Sequence, residues 1–149
     1  MVQQIMPEQV TAFWEAAKDT ILKSIPTIHG ESEQKMNNIL AALLSGKMIL
    51  WVTYEIDKMK KRTNGLFITR ILEDDITEIK SLLMYCLHTY HLVSDKVWVE
   101  GWEAMEKYGK ANRCWRMVVY TDVPALVERA KQFGGSTSYT FLSLPFSGG

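Results

Sequence analysis

The order of apolar periods along this chain predicts an α/β protein with a mixed sheet of about five strands. Three observations carry that reading. Helical spacing of apolar residues opens the chain, a β-rich stretch with short connections follows, and a long helical span then separates two sheet-forming segments.

Each element follows from local chemistry. Pro7 stands where a first-turn proline is tolerated, and Val10, Phe13, Trp14, Ala17, Ile21 and Ile25 recur at three- and four-residue spacing until Pro26 stops the helix. Ser32, ahead of Glu33 and Gln34, is placed to cap a second helix with the stripe Met36, Ile39, Leu40, Leu43 and Leu44, and Gly46 is placed to end it. From Lys47 the period changes. Met48 to Ile56 reads as a strand, Asp57 to Thr63 as a polar stretch, Asn64-Gly65 as a hairpin turn and Leu66 to Leu72 as the return arm. After the acidic cluster Glu73 to Asp75, Ile79 to Leu87 reads as a third strand, and the short connections predict an antiparallel meander. Ser94 then caps a helix from about Asp95 to Asn112, with Val97, Gly101, Trp102, Met105 and Tyr108 on one face. The strand Trp115 to Thr121 follows it. A strand, a long helix and a strand form a crossover, so this fourth strand is expected parallel to the third. Pro124 starts a short helix with Leu126, Val127, Ala130 and Phe133 inward, Gly134-Gly135 ends it, and Ser138 to Leu144 is expected as a last, antiparallel strand.

Composition bounds what such a chain does. It has 149 residues, 17 Lys plus Arg against 17 Asp plus Glu, and 47% hydrophobic residues. A chain of this length buries roughly 70% of its unfolded surface, enough for a core without metal or disulfide. One domain over 1–149 is expected: two N-terminal helices in 1–46, the sheet and two helices in 47–144, and a loose tail in 145–149. Five Trp, six Tyr and five Phe exclude disorder, and the zero charge balance argues against a non-specific nucleic-acid binder. Cys86 and Cys114 are too few for a disulfide framework, the opening residues lack a secretory signal, and the apolar run Met48 to Tyr54 is too short to cross a bilayer. A reducing compartment is expected, the cytoplasm or a virion, with no membrane partner.

The element order, together with particular residues, carries a family resemblance. Leu44-Ser-Gly-Lys-Met-Ile-Leu-Trp-Val-Thr53 looks like the opening of the central hairpin of the acetyl-CoA-dependent N-acetyltransferase (GNAT) superfamily. Glu103-Ala-Met-Glu-Lys-Tyr-Gly-Lys-Ala-Asn-Arg-Cys114 resembles the end of its long helix, and Phe133-Gly-Gly135 its helix-to-strand turn. The resemblance runs from about Gly46 to Leu144 and lacks the superfamily's usual first strand. It implies a GNAT-like mixed sheet with helices on both faces. Among its branches the chain looks closest to a divergent one common in tailed-phage genomes, where a Leu-Trp-Val strand, an early Trp in the long helix and a Gly-Cys or similar helix end recur.

The same resemblance implies where a cofactor would lie. Superfamily enzymes carry R/Q-x-x-G-x-G/A between the third meander strand and the long helix, where glycines let backbone N–H groups approach the pyrophosphate of acetyl-CoA beside the helix N-terminus. Here the stretch is His88-Thr-Tyr-His-Leu-Val-Ser-Asp-Lys-Val-Trp98. Matching the helix end puts the Gln/Arg position near Val93 and the glycine positions near Lys96 and Trp98, so the implied cofactor contacts are Leu87, Val93, Lys96 and Trp98. No glycine stands in this stretch, and the next along the chain is Gly101. The Tyr that protonates the leaving thiolate in many members falls on Ala130, and Asp122-Val123 replace the Asn that often precedes the last helix. These departures imply no bound cofactor, and acetyl-CoA only if the chain is an enzyme.

Other candidates are weaker. Glu55, Glu73, Asp75 and Glu78 stand at strand ends where a general base could sit, and equally as solvated turn acids. Cys86, His88 and His91 lack a fourth ligand and metal-site spacing, so they read as a buried thiol and strand-end histidines. Lys58, Lys60, Lys61 and Arg62 read as a solvated hairpin loop balanced by nearby acids. Most of the five Trp are expected in the core, and Trp98 as lid, core or interface. With eight Met they favour contact with other protein chains, a second copy or phage structural proteins.

Two functions fit. One is a non-catalytic structural or interaction protein, for instance a phage particle or assembly component. The alternative is an N-acetyltransferase acting on an amine. No residue is assigned a catalytic role by either.

Overall fold

The computed structural model describes residues 1–24 and 33–147. In chain order the elements are β1 (Val2–Ile5), α1 (Pro7–Ser24), α2 (Glu33–Ser45), β2 (Met48–Asp57), β3 (Lys60–Glu73), β4 (Lys80–Thr89), α3 (Asp95–Ala111), β5 (Cys114–Val119) and α4 (Pro124–Gln132). One sheet runs β1-β2-β3-β4-β5, antiparallel throughout except for the parallel β4–β5 pair. The expected meander and parallel crossover are both present.

The fifth strand is found at the other end of the chain from where it was expected. Val2–Ile5 pairs with β2 from Val2↔Thr53 to Ile5↔Leu50, and Ile5 is buried. The usual first strand is therefore there, four residues of it, too short to announce itself as an alternating pattern. Ser138 to Leu144 forms no strand; Tyr139, Leu142 and Leu144 are 89%, 74% and 77% exposed.

The hairpin turn also moves. Lys58 and Met59, at φ +49° and +65°, form the two-residue connection between the paired Asp57 and Lys60, as the twist of a tight hairpin demands. Asn64 and Gly65 lie within β3 instead. Thr53 pairs with Gly65 but Tyr54 with Thr63, so Asn64 is the extra residue of a β-bulge. Gly65 is needed for a close approach: a Cβ there would sit 2.5 Å from the backbone oxygen of His88. Lys60, Lys61 and Arg62 are consequently strand residues, with Lys60 opposite Asp57 and Arg62 opposite Glu55.

The helices cover both faces. Val10, Trp14, Ala17 and Ile21 of α1 and Met36, Ile39 and Leu43 of α2 pack with Leu50, Val52, Leu66, Ile68 and Cys86 on one face. On the other, Met105 of α3 packs with Trp51, Phe67, Leu82 and Cys114. Phe13 and Leu44, expected in the stripes, lie at their margins and are exposed. Gly46 ends α2 at φ +81° as expected, whereas Ile25, Pro26 and Ser32 lie outside the described residues. Burying Ile21, Leu43, Leu50, Ile68 and Met105 almost completely stabilises the sandwich by roughly 1.5–3 kcal/mol each. The α4 helix is different: Leu126, Val127 and Phe133 are half-buried, Ala130 is exposed, and no residue of it is buried. Trp14 and Trp51 are core, Trp98 and Trp102 half-buried, and Trp115 is 65% exposed.

Candidate functional site

The sheet opens where β4 and β5 part. Their parallel pairing runs from Lys80↔Cys114 to Met84↔Val119 and stops, while β4 continues to Thr89 bound only to β3. At that point β4 carries a bulge: Ile68 pairs with Cys86 and Thr69 with Met84, making Tyr85 the additional residue. A bulge bends its strand and sharpens the local twist, which turns the second half of β4 away from β5. The uniformly apolar run Leu82 to Leu87 gave no alternation from which the bulge could be read.

Burial sets the chemistry of the groups beside the bulge. Removal from water raises the Tyr85 hydroxyl above its ordinary pKa, with the Cys86 sulfur adding to the rise and the Arg70 guanidinium opposing it. Burial pushes the Cys86 thiol up to about 12, outweighing a hydrogen bond from the Ile68 backbone. It is a neutral thiol at ordinary pH and lacks the thiolate that nucleophilic or metal chemistry requires. Cys114 lies in the cluster on the opposite face, and burial raises its pKa too. Among the described residues no three His, Cys, Asp or Glu side chains converge.

The chain from β4 to α3 is held by its own contacts. The His88 and Tyr90 rings meet edge to face at 5.0 Å, and Tyr90 N–H donates to the Asn64 carbonyl at 2.9 Å. His91 Nδ1–H donates to the Leu92 carbonyl at 3.0 Å, leaving a buried Nε2 with no partner among the described residues. Ser94 caps α3, its Oγ accepting from Val97 N–H at 3.4 Å and its carbonyl from Val97 and Trp98 N–H at 3.1 and 3.3 Å.

Three contacts tie the N-terminal half of α3 to α4. Arg129 donates to the Asp95 carboxylate at 2.8 Å, its guanidinium lies 5.3 Å over the Trp98 ring, and Trp102 stacks on Phe133 at 5.7 Å with planes 12° apart. Each joins residues about thirty positions apart, so sequence spacing held no sign of them.

The four predicted cofactor contacts fall as follows. Leu87 is half-buried and packs with the α3-side cluster, Val93 is half-buried in the connecting loop, Lys96 is exposed with Nζ 3.9 Å from Glu100, and Trp98 lies under Arg129. Two surface cavities are lined by other residues: one of about 430 Å³ by Ala42, Lys47, Met48, Arg70 and Ile71, and one of about 150 Å³ that includes Trp102, Met105, Cys114 and Trp115. Of the four acids considered as bases, Glu73, Asp75 and Glu78 stand before β4 begins, at the end of the sheet opposite the parting. Only Glu55 is at the same end, and β3 separates its strand from β4. Ala130 and the pair Asp122-Val123 stand at the last helix without a hydroxyl or amide that could serve as a proton donor.

No family model matches this chain, nor does any curated protein. Solved structures do. An aminoglycoside acetyltransferase from an uncultured soil metagenomic sample is 14% identical, with 99% of this chain and 98% of that chain covered and a TM-score of 0.71. A predicted acetyltransferase with acetyl-CoA from Clostridium acetobutylicum is 7% identical, with 97% and 95% covered and a TM-score of 0.68. A ribosomal-protein-alanine N-acetyltransferase from Brucella melitensis biovar Abortus 2308 is 11% identical, with 98% and 99% covered and a TM-score of 0.63. This chain has the GNAT acetyltransferase fold over its whole described length. No helix among the described residues is long and apolar enough to cross a membrane.

Proposed function

We propose that this is a GNAT-fold protein with a degenerate acetyl-CoA site, serving as a non-catalytic structural or interaction protein. The observation that carries the reading is the first turn of α3. A diphosphate there would meet the Asp95 carboxylate, which works against an anion at a helix N-terminus, and would have to displace Arg129 from Asp95 and Trp98. No glycine between Gly65 and Gly101 opens the backbone to it, and Ala130 supplies no proton. The residues present do not fit the group. Calorimetric titration with acetyl-CoA to hundreds of micromolar tests this: the expected result is no binding heat, and saturable heat overturns the reading. In its narrower form the protein is a tailed-phage virion or assembly component, supported by the Leu50-Trp51-Val52 strand, the early helix Trp and Gly109 to Cys114 at the helix end. Mass spectrometry of purified virions tests that form, and absence from particles counts against it.

A second reading has its own support. The chain matches acetyltransferases over nearly its full length, including one solved with acetyl-CoA, and its own β4 bends at a bulge where it parts from β5. It would then be an acetyl-CoA-dependent N-acetyltransferase acting on an amine, with the cofactor meeting Leu87, Val93, Lys96 and Trp98. Release of the free CoA thiol on mixing with acetyl-CoA and a panel of primary amines, above the rate without protein, is the result that would establish it.

A further inference from the structure

The cavity of about 430 Å³ lies at the end of the sheet opposite the parting, and neither reading of the cleft uses it. It opens where α2 hands over to β2. Met48 begins that strand and pairs with Arg70 of β3, which pairs in turn with Leu83, in the half of β4 still joined to β5. The wall is made of Ala42, Met48 and Ile71, each buried or half-buried, and of two exposed cations, Lys47 and Arg70. Among the described residues no acid lines it.

The two charges are uncompensated. Among the described residues neither Lys47 nor Arg70 makes an ion pair, although the chain carries as many acids as bases. Glu73, the acid that follows Arg70 along β3, stands opposite Lys80, and the Asp74 carboxylate accepts from Ile76 and Thr77 N–H at 2.9 and 3.2 Å. The Arg70 guanidinium acts on the Tyr85 phenol, a group that burial keeps neutral. Lys47 alone has an ordinary explanation, since a cation suits the C-terminal end of a helix such as α2. Arg70 has none of that kind. It continues the face of Leu66 and Ile68, which are 3% and 0% exposed, and it does so on the central strand, where no sheet edge needs a charge to guard it.

We infer that Lys47 and Arg70 bind the phosphate of a small phosphate monoester, whose organic part lies against Ala42, Met48 and Ile71. Two cations match the charge of such a group near neutral pH. The planar fork of Arg70 suits a pair of its oxygens, and Lys47 adds a point charge. A volume of about 430 Å³ falls within the range of small-molecule sites and leaves room for an apolar body beyond the phosphate. The inference goes beyond the reading of the cleft: the cavity shares no residue with it, and the site holds its ligand with or without acetyl-CoA.

Phenyl phosphate and inorganic phosphate, titrated into the full chain at constant ionic strength and followed by amide shifts in nitrogen-15 spectra, test it. Saturable shifts are expected at Lys47, Met48, Arg70 and Ile71, with phenyl phosphate bound about tenfold more tightly than the bare anion because its ring is partly buried. Lys47→Gln and Arg70→Gln keep much of the aliphatic stem, and each is expected to weaken phenyl phosphate roughly fivefold or more at an unchanged urea midpoint. Lys47→Arg keeps the charge and is expected to bind within about threefold of the parent. Absence of saturable shifts up to tens of millimolar of either probe overturns the inference, as do shifts that sodium chloride reproduces, which mark general screening. Binding that survives both Gln variants, or phenyl phosphate held no more tightly than the bare anion, overturns it equally.

Discussion

Replacing Thr69 by Val probes the bulge that opens the sheet. Thr69 is wholly buried, its Oγ1 accepts a hydrogen bond from the Trp51 indole at 2.9 Å, and its partner Met84 is the last β4 residue before the bulge. Trp51 in turn stacks on Phe67, with centroids 6.0 Å apart, and meets the Tyr108 ring of α3 edge-on at 5.0 Å. Valine keeps the shape of threonine, so no cavity forms, but the indole N–H is left in a dry core without an acceptor. That costs about 1–3 kcal/mol, and the extra buried methyl returns about 0.8 kcal/mol of it. The expected net loss, at most about 2 kcal/mol, corresponds to a fall in Tm of up to about 8 °C for a chain of this size. Urea unfolding followed by far-ultraviolet circular dichroism measures it, with Trp51→Phe as the second arm of a double-mutant cycle. In the Trp51→Phe background, which has no N–H to strand, Thr69→Val is expected to be close to neutral, giving a coupling of about 1 kcal/mol. Equal costs in the two backgrounds would refute the reasoning, because the loss would then come from packing.

Three further outcomes follow from the same geometry. The Cys86 thiol keeps its proton to about pH 12 in the fold but loses it near pH 9 when unfolded, so its stabilising effect is complete below pH 9 and is lost as pH rises towards 12. Over that window the loss is on the order of 4 kcal/mol, and Cys86→Ala should show a flatter alkaline limb in urea unfolding; parallel pH profiles would count against it. Gly65→Ala should destabilise by about 1–3 kcal/mol, since its Cβ would meet the His88 backbone at 2.5 Å and β3 and β4 would have to separate; an unchanged urea midpoint would show that the strands yield freely. Arg129→Ala removes a partly exposed ion pair and a cation–π contact, together about 1 kcal/mol, of which only the ion-pair share should fade in molar salt; a loss identical at low and high salt would show that Asp95 contributes nothing.

Periodic elements were legible in the sequence wherever burial on one face repeated over several turns. The stripe Val10, Trp14, Ala17 and Ile21, the β2 run from Met48, and the α3 face around Met105 were all read correctly because one-sided burial imposes a 3.6- or 2-residue period. Short or context-dependent features were not. Val2–Ile5 becomes a strand only because β2 offers it an edge. Asn64-Gly65 carries a turn signature, but the tight approach of His88 uses the glycine differently, and the turn went to Lys58 and Met59, which lack that signature. The stretch without glycine before α3 was legible in the sequence. The contact of Arg129 with Asp95 was not, since it spans 34 positions that no local pattern links.

The sequence by itself determined the α/β class, the meander and parallel crossover, and the stretch without glycine between Gly65 and Gly101. These are matters of composition, period and connection length. Only the tertiary structure decided where β4 bends, that α4 closes on the first turn of α3, and that among the described residues Ser138–Leu144 forms no strand beside β5. Such outcomes depend on which surfaces meet after the chain has folded. Contacts between distant residues are fixed by packing and loop closure, and neither leaves a mark on the spacing of neighbouring residues.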